Sequence, residues 1–284
     1  MVNEYVGRFA PSPTGLLHAG SLAAALASFI DAKAHNGRWL IRIEDVDQTR
    51  CKKEWAEGIL EVLSRLEMTG DGEIIWQSRR TDRYAEVLDR LIAEKKVYGC
   101  SCSRHSIELL NRLSGSPLNH YPGTCRNGAQ GPIRSWRFKT NSTAIKFVDR
   151  WAGPYSQDVE KEVGDFVVKR ADGLFAYQLA VVVDDHDSGI NHVVRGADLI
   201  DNTPRQIAIY EALDWPQPAY MHIPLVLNEQ HEKLSKQAGA RPLGDNLLDE
   251  LSKAWTHLGF DPIKAQSFGD FYLKAALQWQ NRFL

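Results

Sequence analysis

The sequence predicts an α/β protein built on a parallel sheet, and three observations carry that prediction. An apolar opening segment (Tyr5, Val6, Phe9) runs through Pro11-Ser12-Pro13-Thr14-Gly15 into small and apolar residues from Ala19 to Ile30, which reads as strand, tight loop and helix. Trp39-Leu40-Ile41-Arg42-Ile43 reads as a buried strand that ends in acid, Glu44-Asp45-Val46-Asp47. Two late apolar strands, around Ile190–Arg195 and Met221–Leu227, flank a helical stretch and repeat the strand–helix–strand pattern.

Each element has a local reason. The first helix starts just after His18, where free backbone N–H groups and the positive dipole end attract phosphate. His18 is placed to donate to a phosphate oxygen, and Gly20 lets a flat group approach the backbone. In parallel α/β sheets, ligands sit beyond the carboxyl ends of strands, so Glu44 is placed to hold an ammonium group. Trp55, Ile59, Leu60, Val62, Leu63 and Leu66 form one apolar helix face. Tyr84, Val87, Leu88, Leu91 and Ile92 form another, after a break at Gly70-Asp71-Gly72. Cys100, Cys102 and Cys125 have the spacing of a structural zinc site. His105, His120 and Tyr121 are the candidates for a fourth ligand.

From about 133 to 170 the chain reads as β: Ile133, Trp136, Phe138; then Ile145, Phe147, Val148; then Phe166 to Val168. Propensity makes Val181 to Val183 a strand, and the acidic run Asp184-Asp185-His186-Asp187 reads as helix-end charges rather than a metal site. Arg195 closes the strand that follows and can grip a carboxylate with two parallel hydrogen bonds. Thr203-Pro204-Arg205 should open a helix with threonine as its cap. After the last strand, two helices are expected around Trp255, Leu258, Phe271, Leu273, Ala276 and Leu277.

The bulk numbers exclude several classes. At 284 residues with net charge −2, the chain is no general polyanion binder, so an RNA partner would need a local basic face. Candidates for that face are Arg79, Arg80, Arg83, Lys95, Lys96, Arg134, Arg137 and Lys139. No apolar run reaches the ~18 residues of a membrane span. No signal-peptide pattern opens the chain, and four cysteines do not suggest a disulfide framework, so a cytoplasmic enzyme without a membrane partner is expected.

Pro11 to Gly15 followed by His18-Ala19-Gly20-Ser21 resembles the first nucleotide-binding motif of class I aminoacyl-tRNA synthetases, in the form of the glutamyl and glutaminyl branch. Lys233-Leu234-Ser235-Lys236-Gln237 resembles the second, with Gln237 departing from the usual residue. Arg42 to Asp47 and the Arg195-Gly196-x-Asp198 stretch resemble the same branch. The resemblance implies a Rossmann-like catalytic sheet over residues 1–96 and 171–237. It further implies an inserted zinc-containing, acceptor-binding-like subdomain over 97–170, and a short helical C-terminal region over 238–284. It turns the Val181–Val183 stretch into a helix, with Tyr177 and Gln178 at its start facing substrate. It assigns Arg8, Ala10, Ser12, Glu44, Tyr177 and Arg195 to L-glutamate, and His18, Gly20, Lys233, Ser235 and Lys236 to ATP with its Mg²⁺. His18 and Lys236 take the catalytic roles. One structural zinc ion falls to Cys100, Cys102, Tyr121 and Cys125, with His120 the rival to Tyr121.

The chemistry implied is attack of the glutamate α-carboxylate on the α-phosphorus of ATP. A carboxylate is already a nucleophile, so positioning and charge stabilisation suffice. Residues 237–284 are too few for an anticodon-binding region, which points to the short paralogues of this branch. These pass glutamate to the queuosine base at the wobble position of tRNA(Asp), and a monomer is expected. The rivals are a truncated synthetase charging the 3′ end of tRNA(Glu), a small-molecule nucleotidyltransferase of the same superfamily and a non-catalytic tRNA-binding paralogue.

Overall fold

A computed structural model describes residues 4–118, 120–226 and 243–284. The first block of the sheet is β1 (Val6–Phe9), β2 (Arg38–Ile43) and β3 (Ile75–Trp76), all parallel, in the order β1-β2-β3. Their crossovers are α1 (Ala19–Ala34) and α2 (Lys53–Arg65); α3 (Thr81–Ala93) follows β3.

The intervening stretch holds β4 (Val97–Cys100), α4 (Arg104–Ser114), β5 (Ser135–Phe138), the hairpin β6 (Ile145–Asp149) and β7 (Gly153–Gln157), the single turn α5 (Val159–Glu162) and β8 (Val167–Lys169). Here β4, β5 and β8 make a small antiparallel sheet. The hairpin is not remote from the first sheet. Arg150 at its turn donates its backbone N–H to the Tyr220 carbonyl at 2.9 Å and its guanidinium to Asp31 of α1 at 2.6 and 2.9 Å.

The parallel pattern resumes with α6 (Tyr177–Asp187), β9 (His192–Gly196), α7 (Thr203–Ala212) and β10 (Ala219–Ile223), with β10 parallel to β9. β9 lies beside β1, where the backbone N–H of Asn191 donates to the Val6 carbonyl. β9 and β10 form a two-stranded parallel sheet of their own, set beside β1 on the side away from β2 and β3, so the strand order changes direction at the β1/β9 junction, a topological switch point.

Both faces are covered. One core gathers α1, α2, α8 (Leu247–His257) and α9 (Phe268–Phe283). The other gathers α3, α6, α7 and the small antiparallel sheet. The all-round apolar α1 suits a helix that is enclosed between sheet and outer helices. Asp31, fully buried on α1, ties four parts of the chain together. It accepts from the Tyr5 hydroxyl (2.6 Å), the Arg150 fork and Trp279 Nε1 (2.8 Å). Burial opposes its charge, but Arg150 together with the hydrogen bonds from Tyr5 and Trp279 outweighs that and holds the carboxyl below its ordinary range.

Four sequence expectations need correction or completion. Val181 to Val183 lie in α6, as the resemblance implied, and are buried on a helix enclosed by α3, α7 and the sheet. Tertiary burial here overrides β-branched propensity. Asp184 and Asp185 do stand in the last turn of α6, as helix-end charges, but they are buried in the protein interior, which the sequence reading did not foresee. Thr203 does not cap α7, because the cap position falls to Asn202, which makes no side-chain cap bond. Leu273 and Leu277 point outward, and the buried stripe of α9 is Phe271, Ala275 and Trp279. No described helix is long and apolar enough to cross a membrane.

Candidate active site

A cavity of about 570 Å³ opens beyond the carboxyl ends of β1, β9 and β10, within the usual range for a small-molecule site. Arg8, Ala10, Ser12, Glu44, Tyr177 and Arg195 all line it, as do His18 and Gly20. These residues come from the end of β1, the loop after it, the start of α1, the end of β2, the start of α6 and the end of β9. One point where strands diverge in opposite directions gathers them.

His18 is the N-cap of α1. Its Nδ1 accepts from the Ser21 backbone N–H at 3.3 Å, so in the neutral ring the proton sits on Nε2, 2.9 Å from Ser21 Oγ. Lys233, Ser235 and Lys236 lie outside the described residues. Gln178 does not line the cavity; its amide bonds Asn202 and Gln206.

The basic wall is held from behind by buried carboxylates. Arg8 Nε donates to Asp185 Oδ1 at 3.1 Å. Arg42 Nη1 donates to the same oxygen at 2.6 Å, and its Nη2 to Glu44 Oε1 at 3.2 Å. Asp184 accepts from Gln77, Arg80 and Tyr84 at 2.6 to 2.8 Å. Burial pushes the Glu44 carboxyl above its ordinary range, against the pull of Arg42 and Arg8. Burial also works against ionised Asp185, but there Arg42 and Arg8 prevail and hold the carboxyl below its ordinary range. Glu44 is thus a cavity carboxylate whose charge burial disfavours even beside Arg42 and Arg8, and a bound ammonium group would offset that cost. Burial likewise keeps the Tyr177 phenol protonated as a donor.

The cysteine cluster lies elsewhere, at the end of β4. The Sγ atoms of Cys100, Cys102 and Cys125 lie within 4.8 Å of one another, with Cys102 and Cys125 at 3.5 Å. The Tyr121 hydroxyl is 3.3 Å from Cys100 Sγ and 3.9 Å from Cys102 Sγ. Tetrahedral zinc with bonds of about 2.3 Å sets its ligand atoms about 3.8 Å apart, so this donor set fits one ion. The His120 ring instead meets the Glu160 carbonyl at 3.1 Å through Nε2. Gly164, with φ of +77°, makes the approach of Tyr121 possible, because a Cβ there would fall 2.3 Å from the Tyr121 carbonyl oxygen.

Several arginines expected to form a basic face are engaged. Arg137 is buried, donating to Cys100 Sγ at 3.4 Å and lying over the Tyr121 ring. Arg80 and Arg83 pair with Asp187. Asp149, Asp185 and His222 were not singled out as site residues, and no motif marks them. The one available signal was that an acidic pair inside an otherwise apolar helix, Asp184-Asp185, must be paired if buried.

A parallel sheet with its cavity at the switch point, a histidine-capped phosphate-type loop and an arginine-lined pocket define a class I synthetase catalytic fold. Residues 4–254 match the family of class I tRNA synthetases (E and Q), catalytic domain, and the chain belongs to that family. Over its length it is similar to curated proteins named glutamyl-Q tRNA(Asp) synthetase. One from Janthinobacterium sp. (strain Marseille) is 48% identical over 294 residues, covering 100% of this chain and 99% of the relative. One from Cupriavidus metallidurans is 51% identical over 266 residues, covering 91% and 86%. A solved glutamate tRNA ligase from Elizabethkingia meningosepticum, in complex with its amino acid, superposes with a TM-score of 0.74 at 28% identity. That match covers 84% of this chain and 53% of the ligase, so the chain spans about half the ligase's length.

Asp185→Asn is expected to destabilise the fold by about 3 kcal/mol at pH 7, because Arg8 and Arg42 stay buried with one anion fewer. Urea unfolding at unchanged slope checks this. Asp185 has a depressed folded pKa, so its contribution is complete above the unfolded value of about 3.9 and is lost as pH falls through the lowered folded value. Variant and wild-type midpoints should therefore converge in acid. Glu44 titrates with the opposite sign: its cost to stability is full above its raised folded pKa and absent below the unfolded value of about 4.3.

Proposed function

We propose that this chain is an ATP-dependent ligase that activates L-glutamate as glutamyl-adenylate and transfers it to the queuosine base at the wobble position of tRNA(Asp). The observation that carries the activation step is one cavity lined by two buried arginines, Arg8 and Arg195, and a buried carboxyl, Glu44. That charge pattern complements an amino acid with two carboxylates and one ammonium. A pocket that hydrogen-bonds both carboxylates rejects the amide strongly, because a misfit leaves buried polar groups unpaired. Relatives of matching length named glutamyl-Q tRNA(Asp) synthetase support the choice of acceptor.

In this reading Ala10 and Ser12 close the amino-acid side, Tyr177 adds a hydroxyl donor, and His18, Gly20 and the α1 N-terminus receive ATP phosphates. Lys233, Ser235 and Lys236 complete the phosphate site, with Lys236 and His18 stabilising charge on the leaving pyrophosphate. Mg²⁺ arrives on ATP as part of the substrate. Residues 1–96 and 171–237 form the catalytic domain, 97–170 the insertion and 238–284 the C-terminal helical region. Zinc would hold the β4 end and the Tyr121–Cys125 turn together, a structural task at a distance from the chemistry. The enzyme acts as a cytoplasmic monomer.

Two outcomes are expected. Purified protein with ATP and radiolabelled glutamate should label tRNA(Asp) that contains queuosine and leave queuosine-free tRNA(Asp) unlabelled; nuclease mapping should put the label at the wobble base. Label at the 3′ terminal ribose would instead make the chain a charging synthetase. Protein purified without chelator should carry about one zinc per chain by elemental analysis, and Cys125→Ser should lose it and unfold at lower temperature.

A further inference from the structure

Arg195 is anchored by a second buried chain of hydrogen bonds, which reaches into the hairpin between the sheet blocks. Its Nε donates to His222 Nε2 at 3.0 Å, its Nη2 to Thr203 Oγ1 at 2.7 Å and its Nη1 to the Tyr177 hydroxyl at 3.2 Å. The Thr203 hydroxyl also lies 3.1 Å from His222 Nε2. On the far side of the ring, His222 Nδ1 is 2.6 Å from Asp149 Oδ2. Asp149 Oδ1 in turn accepts the backbone N–H groups of Trp151, Ala152 and His222 at 3.0, 2.8 and 3.1 Å. Asp149, Arg195, Thr203 and His222 are all buried.

The donor inventory of these groups leaves one assignment. An arginine only donates, so His222 Nε2 must accept, and the neutral ring then carries its proton on Nδ1. The Asp149 carboxylate receives that proton's hydrogen bond and selects this tautomer. The opposite tautomer would aim an N–H at Arg195, donor against donor. Thr203 is compatible with the assignment, since its hydroxyl accepts from Arg195 Nη2 and at most shares with Arg195 Nε the single lone pair of His222 Nε2.

We propose that Asp149 and His222 are positioning residues for Arg195: Asp149 fixes the Nδ1–H tautomer of His222, and the Nε2 lone pair so presented aims the guanidinium into the amino-acid cavity. The assignment of a carboxylate to Arg195 rests on the glutamate reading above; the tautomer does not. Burial, with Arg195 close by, holds the imidazole below its ordinary pKa and so keeps the ring neutral. The hairpin is thus a structural support of the pocket, with Asp149 the last residue of β6.

Asp149→Asn tests this because it is nearly isosteric. The amide oxygen can still accept the three backbone N–H groups, while its NH₂ donates to His222 Nδ1 and drives the proton to Nε2. In glutamate-dependent ATP–pyrophosphate exchange with tRNA(Asp) present, KM for glutamate should rise about tenfold or more, the scale of losing a hydrogen bond to a charged group. The kcat should move far less, because Arg195 grips substrate and transition state alike. Nitrogen-15 NMR of histidine-labelled protein should report Nδ1–H for His222 in the wild type and Nε2–H in the variant. His222→Gln offers Arg195 an amide oxygen, so it should keep a lower KM than His222→Ala, and adding Asp149→Asn to it should cost less than about twofold.

The proposal is overturned by a wild-type His222 carrying its proton on Nε2 or on both nitrogens at neutral pH. It is also overturned by an unchanged KM in folded Asp149→Asn, or by an equal KM rise in both backgrounds. An enzyme with no glutamate-dependent exchange strikes the glutamate reading instead, and the NMR result still decides the tautomer.

Discussion

One carboxylate oxygen, Asp185 Oδ1, accepts hydrogen bonds from two buried guanidinium groups, and the shape of the pocket depends on it. Arg8 is the penultimate residue of β1 and Arg42 lies in β2, while Asp185 comes from α6, far along the chain. The contact therefore joins the opening strands to the helix that precedes β9. It also divides labour between the cations. Arg42, with 1% of its side chain exposed, gives Nη1 to Asp185 and Nη2 to Glu44 while its Nε, without a hydrogen bond, lies 3.8 Å from Asp184; Arg8 is held at Nε and still lines the cavity. Buried ion pairs return little net stability, since desolvation consumes most of the attraction. Their use here is to fix where charge stands, and a fixed charge is what selection of a dicarboxylic ligand requires.

The pocket is built on the same plan twice. On one side Asp185 anchors Arg8; on the other Asp149, acting through His222, anchors Arg195. In both cases the arginine lies at a strand end and its support comes from an element distant in sequence. The topology explains why these supports converge. At the junction of β1 and β9, neighbouring strands feed helices on opposite faces, which leaves an open crevice at their carboxyl ends. The cavity lies there, floored by strand ends and bordered by the N-terminus of α1.

Much of this was legible in the sequence. The loop from Pro11 to Ser21 announced strand, turn and helix; the acid after β2 announced Glu44; and the cysteine spacing announced a cluster that the structure assembles within 4.8 Å. These features are local, written in consecutive residues or short spacings. What stayed hidden depends on contacts between residues far apart. Asp184 and Asp185 read only as helix-end charges, because nothing nearby in sequence says that Arg8, Arg42, Gln77 and Tyr84 will surround them. Thr203 looked like a helix cap because threonine before proline usually is one, yet its hydroxyl serves Arg195 and His222. Leu273 and Leu277 fit a helical apolar pattern, but the stripe that meets the core is offset and carries Trp279.

The central claim is that paired arginines and a buried carboxyl select an acidic amino acid beside a triphosphate site. ATP–pyrophosphate exchange measured with glutamate, glutamine and aspartate in parallel, with tRNA(Asp) present, tests it most directly. The account predicts exchange with glutamate and a kcat/KM for glutamine lower by roughly four orders of magnitude, the scale set by leaving buried charged donors unpaired. Equal exchange with glutamine, or none with glutamate, would contradict it.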